Sequence, residues 1–418
     1  IKTGKEKEIE EEYHRVQILD VATGTGTFLN QTISFIYNEF KNKRQLGNWE
    51  SYVNEYLLPR LHGFELMMAS YTIAHLKLGM TLQDTGIDMN KLDKRLGVYL
   101  TNTLEEAKVF ETQPSMFGFM DSITEESKAA SRVKREYPIM CVIGNPPYSG
   151  ESMNKDYTDN DVYKVEIGGK EKLKERNSKW INDDYVKFIR FGESLIEENQ
   201  EGILGMITAH GYIDNPTFRG MRWHLRNTFD QIYILDLHGN SRKKETSPDG
   251  SKDENVFDIM TGVSIIFGVK NKSTEDKKLA QVYKTDVFGT RKAKFDEIEN
   301  FDFKNIKWIE LPNENDIWVL EGKNKEEYMK GFSVSEIFPI NGVGITTAHD
   351  DFVINQDSKK LLLKFEDFRN SDRNEDILHK KFSVKKKIGW DILQGYDNIK
   401  NLQSIEDFII PISYRPFD

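Results

Sequence analysis

The chain has 418 residues, 38% hydrophobic and 30% charged, with a net charge of −10. That is the composition of a soluble globular protein long enough for more than one domain, and its acidic balance argues against a generally basic nucleic-acid coat while leaving room for a local basic groove. The single Cys141 excludes a disulfide framework and a cysteine-based zinc site. No apolar run approaches membrane-spanning length and no signal peptide is visible, so a reducing, cytoplasmic location is expected, with no membrane partner. The eight histidines are scattered and predict no metal site. The chain opens on Ile1 and closes on Pro416-Phe417-Asp418, and reads as a piece of a longer polypeptide.

Residues 1 to 15 are charged, a helix end or linker. Val16 to Val21 is a short apolar strand with Asp20 near its end. Ala22-Thr23-Gly24-Thr25-Gly26-Thr27-Phe28-Leu29 follows, then an amphipathic run to about Phe40. Strand, glycine-rich turn and helix together let a ligand approach the backbone at a helix N-terminus. The pattern misses the dinucleotide fingerprint, because Leu29 stands where the third glycine would be; a tight turn without ligand explains it equally well. Arg60 to Glu65 is a second strand, with a helix over Met67 to Leu78. Glu65 is placed either to accept ribose hydroxyls or to start the helix. Gly97 to Leu100 is a third strand, after which Asn102 either meets an adenine edge or caps the next helix.

Residues 105 to 136 read as a charged, loop-rich stretch. The fourth strand, Ile139 to Ile143, ends in Gly144-Asn145-Pro146-Pro147-Tyr148. Two prolines stiffen this loop and remove two N–H donors. An amide oxygen, a free carbonyl and an aromatic ring together suit a flat molecule bearing an amino group, though a strand-terminating turn is the ordinary use of Asn-Pro. Residues 149 to 180 read as a mobile loop that orders on ligand binding. A helix over Tyr185 to Glu198 is predicted from Phe188, Phe191, Leu195 and Ile196 on one face. Gly202 to Thr208 is a fifth strand, Phe218 to Phe229 a basic helix, Ile232 to Leu237 a sixth strand and Val263 to Val269 a seventh. The alternation predicts an α/β fold with a mostly parallel sheet and a final antiparallel strand.

After about residue 275 the texture changes to aromatic-rich pieces with lysine clusters. The expected division is a domain over 1–275 and a mixed α+β region over 276–418. A Gly-x-x-x-x-Gly-Lys-Ser/Thr sequence is absent, so no nucleotide-driven motor is expected in this piece.

Asp20 to Leu29 followed by Asn145-Pro146-Pro147-Tyr148 resembles the paired motifs of amino-methylating DNA methyltransferases. The motif order is similar to the gamma group of N6-adenine enzymes, and in particular to the methyltransferase part of single-polypeptide restriction-modification enzymes of the Type I-like and Type IIG classes. Gly202 to Thr208, Phe229 to Asn240, Asn255 to Ile259 and Tyr414 to Asp418 extend the likeness, which covers residues 16 to 270 well and the tail more loosely. Val21 stands where the family usually has proline, and the family's N-terminal cofactor-binding segment does not fit within the few residues before Val16.

The resemblance implies a Rossmann-like, class I, seven-stranded fold, S-adenosylmethionine as cofactor and double-stranded DNA as substrate. It also implies attachment to nuclease and target-recognition segments. Asn145, Pro146, Pro147 and Tyr148 would be catalytic, with Tyr148 and Phe257 stacking on a flipped adenine. Asp20, Ala22, Thr23, Gly24, Gly26, Phe28, Glu65, Leu66, Asn102, Thr103 and Asn145 would border the cofactor. Arg219, Arg222, Arg242, Lys243 and Lys244 are the candidate phosphate contacts. Two other functions stay open. A glutamine-amide protein methyltransferase can use the same tetrapeptide, and a DNA-recognition module can carry a degenerate cofactor pocket.

Overall fold

Short aliphatic runs bounded by Gly, Asn or Asp become strands. They are β1 (Gln17–Asp20), β2 (Leu61–Glu65), β3 (Gly97–Leu100), β4 (Ile139–Gly144), β5 (Gly202–Ala209), β6 (Gln231–His238), β7 (Val263–Lys270), β8 (Gln281–Asp286) and β9 (Ile309–Glu310). They form one sheet in the order β3-β2-β1-β4-β5-β7-β6-β8-β9. β7 lies antiparallel between β5 and β6, and β9 antiparallel to β8; the other pairings are parallel. The expected Rossmann-like fold is therefore present, extended from seven strands to nine. The computed structural model describes residues 13–106, 118–148, 150, 152–175, 178–272, 278–312, 317–320, 324–338, 347, 349–386 and 390–412.

Strand order reverses between β1 and β4, which makes the crevice beyond their carboxyl ends the natural ligand site. Asp20 of β1 is registered against Ile143 of β4, and the Val21 N–H donates to the Ile143 carbonyl at 3.0 Å. The glycine-rich turn and the Asn-Pro-Pro-Tyr loop thus leave the sheet side by side. One face of the central strands is fully buried, through Leu19, Val142, Leu204, Ile234 and Ile266, whereas the other is covered less completely, with Ile203 49% exposed.

Three expectations are corrected. Residues 105–136 are not loop throughout: Gly118–Glu136 is a helix. Residues 149–180 are not a free loop among their described part. They form short 3-10 turns at Asp159–Tyr163 and Ser178–Asn182 and bury Tyr163 and Ile181 completely. Gly220 permits this: a Cβ there would lie 2.1 Å from the Val165 carbonyl oxygen. The first compact unit runs to Glu321, beyond the boundary expected at 275, because β8 and β9 join the sheet and Trp318 is buried, its N–H donating to the Ile213 carbonyl at 2.9 Å. Residues 276–418 do combine strands and helices as expected, with β8 and β9 lying in the first unit.

The second unit, Gly322–Asp418, is helical in its described elements. Helices Ser358–Asn370, Glu375–Lys381 and Ile392–Lys400 close around Phe352, Phe368, Leu378, Ile392 and Tyr396. Asp357, Asn374 and Asp391 cap their N-termini, each accepting two backbone N–H bonds.

Candidate active site at the carboxyl edge of the sheet

The turn after β1 is shaped by backbone rather than by large side chains. Gly26 takes φ 78° immediately before helix Thr27–Asn42, a left-handed conformation that a side chain would strain. The helix N-terminus has no side-chain cap and no acidic residue in its first turn, the condition under which leading N–H groups can accept an anion. Gly63 of β2 must be glycine because a Cβ would lie 2.5 Å from Thr23 Oγ1. Thr23 in turn donates to the Asp20 carbonyl at 3.2 Å and is buried. Phe28 is half-buried at the start of the helix.

Asp20 is fully buried. Its Oδ1 accepts the Ala22 N–H at 3.2 Å, whereas its Oδ2 has no hydrogen-bond partner. Burial pushes the carboxyl up to about 7, the Ala22 N–H opposing and the Glu65 charge adding to the rise. A buried carboxylate oxygen without a partner is costly.

Glu65 ends β2 with both oxygens in use. Oε2 accepts the Gly24 N–H at 2.8 Å and Oε1 the Met67 N–H at 2.7 Å. It therefore fixes the glycine turn and the backbone just ahead of helix Met68–Asp84, and each oxygen keeps a lone pair for a further donor. Leu66 beside it is 66% exposed, an apolar wall facing solvent. After β3, Asn102 Oδ1 accepts the Leu104 N–H at 3.1 Å and its Nδ2 donates to Asn154 Oδ1 at 2.7 Å. Thr103 is buried and donates to the Val21 carbonyl at 2.6 Å, which ties this turn to the glycine turn.

In the Asn-Pro-Pro-Tyr loop, Asn145 and Pro147 are exposed, Pro146 is buried and Tyr148 is half-buried. Tyr148 packs against the main core and burial pushes its phenol up to about 12. Its hydroxyl is 3.5 Å from Asn145 Oδ1, too long to hold the amide tightly. Asn145 is thus displayed at the edge with its oxygen available. Phe257 lies between β6 and β7, at the same edge. It is half-buried against the cluster of Leu235, Leu237, Val256 and Val263, with its N–H held by Asn255 Oδ1 at 2.8 Å.

The basic candidates separate. Arg222 is only 2% exposed and donates to the carbonyls of Tyr212 and Asn215 at 2.8 and 2.9 Å, so it is a core residue and not a surface contact. Arg219 is bound to Glu166 at 2.6 Å and to Glu175 at 2.6 Å; its charge is neutralised inside the protein. Arg242, Lys243 and Lys244 are exposed, and Lys243 pairs with Asp214.

Sequence reasoning missed two buried charge clusters assembled from distant residues. His210, Asp236 and His238 bring their ligand-type atoms within 4.8 Å of one another, as do Glu193, Glu197 and His224. Both are closed by protein cations: Lys284 Nζ lies 3.1 Å from Asp236 Oδ2, and Arg190 bridges Glu193 and Glu197 at 2.8 and 2.7 Å. His238 is opposed by burial but held by Asp286, Glu245 and Asp236, which raise its pKa to about 9. Among the described residues no helix is long and apolar enough to cross a membrane.

Comparison with known proteins agrees with this geometry. Residues 60–242 match the family described as Eco57I restriction-modification methylase, and residues 336–418 match the Type ISP C-terminal specificity domain. The glycine-rich turn lies ahead of the first match. A search of curated proteins found no match. A nuclease-deletion mutant of the Type ISP restriction-modification enzyme LlaGI, solved in complex with a DNA substrate mimic, is similar in structure with TM-score 0.62 and 23% identity, over 94% of this chain and 33% of that one. The DrdV–DNA complex is similar with TM-score 0.61 and 23% identity, over 97% of this chain and 40% of that one. At such identity the likeness is one of fold, and the chain spans well under half the length of either relative. Over these two stretches the chain is similar to an Eco57I restriction-modification methylase followed by a Type ISP C-terminal specificity domain.

Proposed function

We propose that this chain methylates the exocyclic N6 of adenine at specific sites in double-stranded DNA, with S-adenosylmethionine as the methyl donor, as part of a larger restriction-modification protein. The observation that carries the reading is the pairing of two incomplete groups at the β1–β4 switch point. Asp20 Oδ2 is buried without a partner, and the adjacent helix N-terminus is uncapped. An amino-acid zwitterion supplies what each lacks, an ammonium for Asp20 and a carboxylate for the helix. Glu65 fits ribose hydroxyls through its remaining lone pairs, and Leu66 and Asn102 fit the adenine ring and its edge. Ala22, Thr23, Gly24, Gly26, Phe28 and Thr103 form the backbone and walls between them.

Bound S-adenosylmethionine would supply an electrophilic methyl on a sulfonium leaving group. The protein's part is to orient the acceptor. The adenine amine is a weak nucleophile because its lone pair is delocalised into the ring. Asn145 Oδ1 and the Pro146 carbonyl would accept its two N–H bonds and favour a pyramidal nitrogen, which is electrostatic preorganisation rather than base catalysis. The target base must leave the duplex to reach this edge, and Tyr148 and Phe257 are the residues we assign to stack on it. Arg242 and Lys244 remain the phosphate-contact candidates.

Incubating the chain with duplex DNA and methyl-labelled cofactor, then mapping N6-methyladenine, tests the reading. Label in protein instead of DNA would replace it with amide methylation. Asn145→Ala should cut transfer by about a hundredfold or more while leaving cofactor binding largely intact; undiminished transfer would sink the mechanism.

A further inference from the structure

The segment after the catalytic loop is fastened to the turn that follows β3. Asn154 Oδ1 accepts from Asn102 Nδ2 at 2.7 Å, and Asn154 Nδ2 donates to Asp184 Oδ1 at 3.0 Å. Asp184, at the start of helix Asp184–Asn199, is 4% exposed and also accepts from Ser152 Oγ at 2.6 Å. Ser152 Oγ accepts the Asn154 N–H at 3.0 Å, and Lys187 of the same helix donates to the Asn154 carbonyl. Asp183 accepts the Gly150 N–H at 3.1 Å. On the other side, Lys134 donates to the Asn102 and Glu105 carbonyls at 2.6 and 2.8 Å, which fixes the backbone of the Asn102 turn.

The side-chain chain Asp184–Asn154–Asn102–Leu104 has only one consistent polarity. A carboxylate only accepts, so Asn154 must turn its NH2 toward Asp184 and its oxygen toward Asn102. A backbone N–H only donates, so Asn102 must turn its oxygen toward Leu104. The two ends agree. Asn102 is therefore held with a carbonyl oxygen, not an NH2, on the Leu104 side, with one lone pair left over.

We infer that Asn154 and Asp184 are positioning residues that set the amide of Asn102 as an acceptor for the exocyclic amine of the cofactor's adenine, and that they tie this adenine end to the segment continuing from Asn145-Pro146-Pro147-Tyr148. The inference rests on the reading of Asn102 as the adenine contact. It assigns a specificity: a 6-amino purine donates to Asn102 Oδ1, whereas a 6-oxo purine sets oxygen against oxygen. Relaxing the relay leaves the amide held by the Leu104 N–H without its second anchor, so it swings more freely and the discrimination falls.

The test measures binding of S-adenosylhomocysteine and S-inosylhomocysteine to the full chain by calorimetry. The unaltered chain should prefer the adenosyl ligand by about tenfold or more, the scale of one mispaired polar contact. Asn154→Ala should lower the ratio severalfold, the Leu104 N–H still holding the Asn102 oxygen. Asp184→Asn, nearly isosteric and able to offer either an oxygen or an NH2, should lower it partially, which keeps the inference testable if the alanine variant does not fold. Unchanged ratios in both folded variants would overturn the relay while leaving the cofactor reading intact. An unaltered chain that binds both ligands equally would overturn the relay and the role of Asn102. Failure to bind S-adenosylhomocysteine at all would overturn the cofactor reading and the relay with it.

Discussion

Asp20 and Asp236 stand at the carboxyl ends of strands of one sheet, both almost completely buried, and their surroundings are opposite. Asp236 accepts from His210 Nδ1 at 3.1 Å, from the His238 N–H at 3.1 Å and from Lys284 Nζ at 3.1 Å. Burial alone would raise its carboxyl, but His210, Lys284 and His238 outweigh burial and hold it well below the usual carboxylate range. Asp20 has one backbone N–H on one oxygen and nothing on the other, and burial leaves its carboxyl raised to about 7. A saturated carboxylate fastens a scaffold. An unsaturated one marks where the protein alone does not complete the interaction. The Asp236 network holds the β6 end from which the loop carrying Phe257 departs; Asp20 ends β1 at the switch point.

Removing Asp236 gives the largest expected effect. Asp236→Ala takes the carboxylate from His210 and leaves Lys284 and His238 with Asp286 as their remaining shared carboxylate, and should destabilise the fold by about 3–5 kcal/mol, read from the denaturant midpoint. A loss below about 1 kcal/mol would erase the contrast.

Asp20→Asn should act in the opposite direction on the unliganded chain. The folded carboxyl has its pKa raised from 3.8 to about 7. Its protonated form therefore favours folding fully below pH 3.8, and this contribution is lost as pH rises through about 7. The asparagine variant does not titrate. Its stability relative to the unaltered chain should be near zero at the acid end and grow to at most about 4 kcal/mol above neutrality. Its affinity for S-adenosylmethionine should fall about tenfold or more, the loss of one charge-assisted contact. An Asp20→Asn chain that binds cofactor normally would remove the zwitterion argument.

The smallest effects concern the basic residues. Arg242→Ala should reduce the salt dependence of DNA binding by about one unit of slope without altering stability. Arg219→Ala should leave that slope unchanged, because Glu166 and Glu175 already neutralise the guanidinium. Equal effects from the two would undo the separation between core and surface cations.

Much of the fold was legible because strands and turns are local. Gly97–Leu100 is a strand at the bounds its apolar run implies, and β4 ends where Gly144 and Asn145 interrupt it. The helix over 118–136 was not, since charged residues outnumber apolar ones along it and mask its apolar face. Arg219 and Arg222 look alike three residues apart on a basic helix, yet one meets two glutamates and the other is buried among carbonyls. Nothing local distinguishes them.

By itself, then, the amino-acid order determined the alternation of strands and helices, the glycine-rich turn after Asp20 and the stiff loop at Asn145. Each depends on residues within a few positions of one another, through φ preferences, chain stiffness and side-chain periodicity. Only the tertiary structure decided that β1 and β4 lie side by side, that β8 and β9 enlarge the sheet, that Asp20 keeps an unpaired oxygen and that Asp236 does not. It also joined Asp184 to Asn102 through Asn154 across 82 positions of chain. Those outcomes are contacts between residues remote in sequence, and a hydrogen bond exists only where the fold has brought its donor and acceptor to within bonding distance.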